Sequence, residues 1–370
     1  MRILHLSYAH MMGYNDPEKW LKRINYFAAL VEQMGKDADV KSIHCINYSG
    51  ILKRNGIEYH FLRCGKMDMM FPKKLHGYIR DQLKPDVIIV HGFHFPLQVI
   101  FLHRVMKSAK IIIQHHSERP LRHIKRFLQR VVDRFASAYF FPSVEQARPW
   151  VVAGLIESEN KIHEVLEVPS VFYPIDREKA RAVTRVTGSK IYLWVGRFDD
   201  NKDPLTLVKG FIEFARSVPN ANLYVIYQSE ELVDEVKSVI KEAKAMSERI
   251  ILVGKIQHDD LLYWFNSADF IISTSHYEGM GIAVSEGMSC GCIPVLSDIP
   301  SFRAMTGNGE CGFLFSPGNV GDLKTKLASG YVMNLSVERK KVLERYERNM
   351  SASAISRNMI LVCENVLKEQ

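Results

Sequence analysis

Short apolar, β-branched runs alternate with amphipathic helical runs along almost the whole chain. This alternation is the pattern of a parallel sheet covered by helices on both faces. Strand-like runs stand at RILHLSY (from Arg2), DVKSIHCI (Asp39), IEYHFLRC (Ile57), DVIIVHG (Asp86), KIIIQHH (Lys110) and AYFFPS (Ala138). A second series follows at KIYLWVG (Lys190), ANLYVIYQ (Ala221), RIILVGK (Arg249), DFIIST (Asp269) and CIPVLSD (Cys292). The series restarts near Lys190, so two α/β domains are expected. FYPIDREKARAVTRVTGSK, residues 172–190, reads as a polar linker between them.

A chain of 370 residues with 47% hydrophobic content can supply a core to each of two domains. No apolar run approaches a membrane span. The start, MRILHLSYAH, reads as a first strand and not as a secretory signal, so a cytoplasmic protein is expected. Six cysteines without a C-x-x-C predict neither a disulfide nor a zinc site.

Charge is uneven. Residues 1–180 hold 27 Lys and Arg against 18 Asp and Glu, a net of +9, while the remainder holds 22 against 23, a net of −1. The densest basic run, RPLRHIKRFLQRVVDRF, spaces Leu121, Ile124, Phe127, Leu128, Val131 and Phe135 as a helical stripe expected to pack on its own sheet. Arg122, Lys125, Arg126, Arg130 and Arg134 fall on other faces, where they would attract an anionic lipid surface. Nucleic acid is disfavoured, because no stacking platform or recognised module accompanies the charge.

The stretch SHYEGMGIAVSEGMSCGCIPVLSD, Ser275 to Asp298, carries most of the functional signal. An apolar strand leads into a Gly-rich loop and then a helix that Gly291 ends. Glu278 falls in the loop and Glu286 about five residues into the helix. Amides of Met280, Gly281 and Ile282 at the helix start form a seat for an anion. Two carboxylates flanking that seat would accept hydrogen bonds from hydroxyls on either side of a diphosphate. Upstream, YLWVGRFDDNKDPLTLVKGF places Arg197 at a strand end and Lys202 five residues on.

The E-x₇-E pattern followed by GCIPV, with the G-R-x₄-K element upstream, resembles the retaining GT-B glycosyltransferases of family 4, also called group 1. The two blocks span most of residues 190–317. The resemblance implies two Rossmann-like parallel-sheet domains facing a cleft: an acceptor-side domain over 1–180, a nucleotide-sugar domain over 181–345, and a C-terminal helix within 346–370 returning to the first. It also implies transfer of a sugar from a UDP- or GDP-linked donor to a glycan or lipid-linked acceptor, in a bacterial-type pathway such as lipopolysaccharide or capsule assembly. No metal and no cofactor beyond the donor substrate is implied. Arg197 and Lys202 would neutralise the diphosphate, Glu286 would take the ribose, Glu278 the donor sugar, and Ile256 would pack on the base.

In the first domain, His116, followed by the small Ser117, fits the family's histidine near the reaction centre, and His115 less well. His91 and His94 stand at another strand end and read as acceptor-side residues. Gly13 is the flexible point after the first strand, with Asp16 as N-cap and Pro17 as first helical residue; many relatives carry paired glycines there. Asp199, Asp200, Asp203, Asp259 and Asp260 read as turn and capping residues. The absence of G-x-G-x-x-G argues against a nicotinamide enzyme. A nucleotide-sugar epimerase of the same fold, and a non-catalytic nucleotide-sugar-binding membrane adaptor, are the competing readings. Peripheral contact with the inner face of the cell membrane is expected.

Overall fold

The computed structural model describes every residue except Met12, Ser117, Arg122, Val168, Glu230 and Gln370, and only the backbone of Lys66. The chain divides into two compact units: residues 1–169 with 352–370, and residues 170–351.

Among the described residues the first unit holds an eight-stranded sheet. Its strands are β1 (Arg2–Met11), β2 (Asp39–Ile46), β3 (Gly50–Arg54), β4 (Ile57–Leu62), β5 (Val87–His91), β6 (Lys110–Gln114), β7 (Ala136–Phe141) and β8 (Ile162–Glu164). They lie in the order β3-β4-β2-β1-β5-β6-β7-β8. Only the β3–β4 pair is antiparallel. Successive residues feed opposite faces. Leu4, Leu6, Ile88 and Val90 belong to one core cluster, and Ile3, Val87 and Ile89 to the other. Both faces must therefore be covered, which is why these strands are apolar throughout. The C-terminal helix Ala352–Lys368 supplies Ile355, Met359, Val362 and Cys363 to the second cluster, so it belongs to the first unit although it ends the chain.

The second unit carries β9 (Lys190–Gly196), β10 (Ala221–Tyr227), β11 (Ile250–Gly254), β12 (Phe270–Ser273), β13 (Ile293–Ser297) and β14 (Phe313–Phe315). Their order is β11-β10-β9-β12-β13-β14, parallel throughout. Strand order reverses around β1 and β5 in the first sheet and around β9 and β12 in the second. In open α/β sheets such switch points open a crevice beyond the carboxyl ends of the strands.

Two expectations need correction. Residues 172–190 are not a bare linker: Arg177–Thr184 is a helix within the second unit. Buried Asp269 anchors it, paired with Arg177 and, at 3.3 Å, with Arg181, while its carboxylate also accepts from Ile191 N at 2.8 Å. The stripe on helix His123–Asp133 packs only in part: Phe135, just beyond the helix, lies against the core, and Leu121, Leu128 and Val131 are half-buried. Ile124 is 71% and Phe127 63% exposed, whereas Gln129, Val132 and Asp133 are buried. On the inward face, buried Asp133 accepts from Tyr139 Oη (2.9 Å) and Glu157 N (3.1 Å). Arg126 and Arg130 donate to the carbonyls of Ala153 and Gly154, and Arg122 lies outside the described residues.

Candidate nucleotide-sugar site

The loops after β9 and β12 flank the second switch point and are stitched together. Asn201 Nδ2 donates to Tyr277 O (3.0 Å), Tyr277 N donates to Asn201 Oδ1 (3.1 Å), and His276 N donates to Asn201 O (2.8 Å). Thr274 Oγ1 donates to Lys202 O at 2.6 Å. These bonds bring Lys202 Nζ against Glu278 Oε1, which also accepts from Ser275 Oγ at 2.7 Å. Arg197 pairs with Asp199 at 3.0 Å with its side chain largely exposed. Lys202 and Glu278 thus neutralise each other, a pairing the sequence pattern did not disclose.

Helix Ile282–Ser289 begins at the last residue of the expected anion seat. Its first intrahelical bonds run from Val284 N and Ser285 N to Gly281 O (3.0 and 3.1 Å), so the amides of Ile282 and Ala283 precede the hydrogen-bonded ladder. Met280 is buried and Ile282 is 44% exposed. Gly281 caps this helix at φ 77°, and a Cβ there would stand 2.7 Å from the Phe302 ring. Only glycine satisfies both demands. At the fifth helical residue, Glu286 is buried and meets His258 Nε2 at 2.7 Å. The His258 ring stacks on Phe172 at 5.0 Å. Ile256 is half-buried against the core beside β9 and β10. Its neighbour His258, overlooked in the sequence, makes the contact with Glu286; its position in the same loop, two residues on, was the available signal.

Aspartates near this site serve as local acceptors. Asp199 Oδ1 accepts from Lys202 N (2.9 Å) and Asp203 Oδ1 from Thr206 N (3.0 Å). Asp260 precedes the helix Leu261–Ser267 but makes no capping bond, contrary to expectation. Among the described residues no cluster of three or more His, Cys, Asp or Glu is arranged to hold a metal ion.

In the first unit His116, His91 and His115 come together around the ends of β5 and β6. His116 Nδ1 lies 2.5 Å from Glu167 Oε2, and its Nε2 lies 2.9 Å from His91 Nδ1. His115 points the other way into the core: it stacks on Phe141 at 4.8 Å, its Nε2 is 2.9 Å from Glu118 O, and burial lowers its pKa. Glu118 accepts from the backbone amides of Phe93 (3.0 Å) and His116 (2.5 Å). Glu118 and Glu167 went unnoticed in sequence because neither lies in a recognisable motif. His94 is exposed in the loop and Ser117 lies outside the described residues. Gly13 is exposed, and a Cβ there would meet nothing within 4 Å, so nothing nearby requires glycine. Asp16 caps its helix as expected, accepting from Glu18 N at 2.9 Å and Lys19 N at 3.2 Å.

Residues 176–350, which include the stitched loops and the Gly281 cap, match the family model for glycosyl transferases group 1. The second unit belongs to that family. GDP-mannose:cellobiosyl-diphosphopolyprenol alpha-mannosyltransferase of Xanthomonas oryzae pv. oryzae (strain PXO99A) is 22% identical over 225 residues, 59% of this chain and 57% of the relative. The chain thus spans little more than half the length of that relative. Sucrose-phosphate synthase from Thermosynechococcus elongatus is similar in structure, with a TM-score of 0.72 at 16% identity over 100% of this chain and 99% of the other. HepE of Anabaena, solved with UDP and glucose, gives 0.71 at 14% identity over 99% and 100%. These likenesses show the GT-B fold across both units.

Proposed function

We propose that this group 1 family member is a retaining glycosyltransferase that moves a sugar from a UDP- or GDP-linked donor to a glycan or lipid-linked acceptor of a bacterial-type surface polysaccharide. The observation that carries the reading is the convergence of Arg197, Lys202 and Glu278 at the carboxyl ends of β9 and β12, beside a helix N-terminus. A diphosphate seated there would meet the amides of Ile282 and Ala283 and draw Lys202 away from Glu278. Glu278 would then be released to orient a hydroxyl of the donor sugar. Glu286, held at Oε1 by His258, would accept from the ribose, and the Phe172–His258 stack and Ile256 would border the base. Leaving-group charge would be neutralised by Arg197, Lys202 and the helix dipole, so the reaction is assigned no metal. Retention follows if the acceptor attacks on the face from which the diphosphate leaves.

The lipid-linked acceptor is favoured by the first unit's surface and by the diphosphopolyprenol acceptor named for the Xanthomonas relative. Ile124 and Phe127 are exposed beside Lys125, and Met67, Met70 and Phe71 are exposed close to Lys73 and Lys74. Apolar side chains among lysines suit the interface of an anionic leaflet. The proposed contact is peripheral; no helix among the described residues is long and apolar enough to cross a membrane. Transfer assayed with a chelator present, with the product's anomeric configuration read by NMR, tests the reading. An inverted product, or activity restored only by divalent metal, would refute the mechanism.

A further inference from the structure

The pairing of two parallel strands in the first unit brings two thiols into contact. Cys45 is the penultimate residue of β2 and stands opposite Leu62, the last residue of β4, so Cys64 follows just beyond that pair. The Cys45 thiol donates to Cys64 Sγ at 3.9 Å, across 19 positions of chain. Cys64 also lines a cavity of about 280 Å³ with Ser49, Arg63, Asp68, Lys74 and Tyr78, whereas Cys45 is buried and takes no part in its wall. Arg63 and Lys74 are exposed, so the cavity meets solvent.

The other four cysteines stand differently. Cys290 and Cys292 donate to the carbonyls of Tyr173 (3.6 Å) and Phe265 (2.9 Å), and both are fully buried, as is Cys363. Burial raises the pKa of all four, Cys290 and Cys363 to about 12 and Cys311 to about 11. Cys64 moves the other way: the hydrogen bond from Cys45 lowers its pKa against burial and Asp68, and Lys74 adds to the lowering. The same bond raises Cys45, as burial does, so the shared proton stays on Cys45. A thiolate at a solvent-filled cavity, with a second thiol behind it, is the arrangement in which a small oxidant reacts at one sulfur and the other closes the bridge.

We infer that Cys64 and Cys45 form a peroxide-responsive dithiol, in which Cys64 is oxidised first by a small hydroperoxide and Cys45 then resolves it to a disulfide. In the first step the Cys64 thiolate attacks one peroxide oxygen, the O–O bond breaks, and the leaving hydroxide takes up a proton to become water. Cys64 is then a sulfenic acid. In the second step the Cys45 sulfur attacks Cys64 Sγ, the S–S bond forms, the S–O bond breaks, and the hydroxide leaves as water with the Cys45 proton. Two thiols are oxidised by two electrons, and hydrogen peroxide is reduced to two waters. The sulfurs must close from 3.9 Å to about 2 Å. Arg63, Cys64 and Gly65 lie outside any helix or strand, so the loop can supply that movement. The bridge would tie to β2 the segment that carries exposed Met67, Met70 and Phe71, and thiol exchange would release it.

Hydrogen peroxide added to the folded full chain, followed by unfolding, alkylation of remaining thiols and peptide mass mapping, tests the inference. Wild type should lose about 2 Da and yield a linked Cys45–Cys64 peptide, with the other four cysteines still reduced and the bridge reversed by dithiothreitol. Cys45→Ser should stop at a sulfenic acid on Cys64, about 16 Da heavier and trapped by dimedone. Cys64→Ser should consume peroxide at least about tenfold more slowly than wild type. A bridge to any other cysteine, oxidation of Cys64 no faster than that of Cys290 or Cys363, or a wild-type Cys64 that passes to sulfinic acid without bridging would overturn it. Should a serine variant fail to fold, the wild-type map decides alone, with circular dichroism showing that the oxidised chain keeps its fold.

Discussion

At the scale of single residues, the two motif carboxylates have different partners and should have separable roles. Glu286 is buried against His258, and a ribose contact is the same in ground and transition states, so Glu286→Gln should weaken nucleotide binding about tenfold with kcat little changed. Glu278 is bound to Lys202 and Ser275, and in the proposed site its carboxylate would be released when a diphosphate engages the lysine. Glu278→Gln should instead lower kcat, by about 100-fold, while the affinity for free nucleoside diphosphate holds or rises because Lys202 loses its competitor. Calorimetry with UDP and GDP, set beside steady-state kinetics, separates the two; equal nucleotide affinity in wild type and Glu286→Gln would remove the ribose assignment. Motif spacing located both residues. It could not disclose the Lys202–Glu278 pair, which depends on how two loops 76 positions apart are stitched by Asn201. Nor could it reveal Glu167, which meets His116 across 51 positions of chain.

At the scale of elements, parallel strands were the easiest to read, because burial on both faces leaves continuous apolar runs. The strand β3 was missed although Asn55-Gly56, the strongest short hairpin signal, joins it to β4 with φ of 49° and 83°. Its residues alternate half-buried and exposed, so apolar content alone did not reveal it. The three-residue strands β8 and β14 are too short for a periodic signal. Helix Arg177–Thr184 looked like linker because it is mostly polar and buries only Ala180, leaving Val183 exposed. Its attachment depends on charge: Asp269 is 1% exposed and faces two arginines. Asp269→Ala would leave Arg177 and Arg181 without that carboxylate and the Ile191 amide unpaired, destabilising the second unit by about 3 kcal/mol. Chemical denaturation checks this, with Asp269→Asn, which restores part of the hydrogen bonding, falling between the two.

At the scale of the whole molecule, the basic excess lies in residues 1–180, and the structure redistributes its meaning. Arg126 and Arg130 donate to carbonyls at the end of a neighbouring helix yet stay exposed and charged, so the face proposed to meet lipid adds exposed apolar side chains to the cationic ones that charge counting implied. Vesicle co-sedimentation should show binding to anionic and not zwitterionic lipid, weakened by salt, and Phe127→Ser should reduce it several-fold without a loss of stability, since that ring is exposed. Binding equal on both lipids, or unchanged in the variant, would detach this face from the membrane. Release of nucleoside diphosphate from a panel of UDP- and GDP-sugars, with a chelator present, tests most directly whether the stitched loops form a donor site. At least one donor should be consumed by wild type and consumed about 100-fold more slowly by Lys202→Ala, whose fold is intact by circular dichroism. Consumption that is undiminished in Lys202→Ala, or a folded wild type that neither binds nor consumes any of these donors, would contradict it.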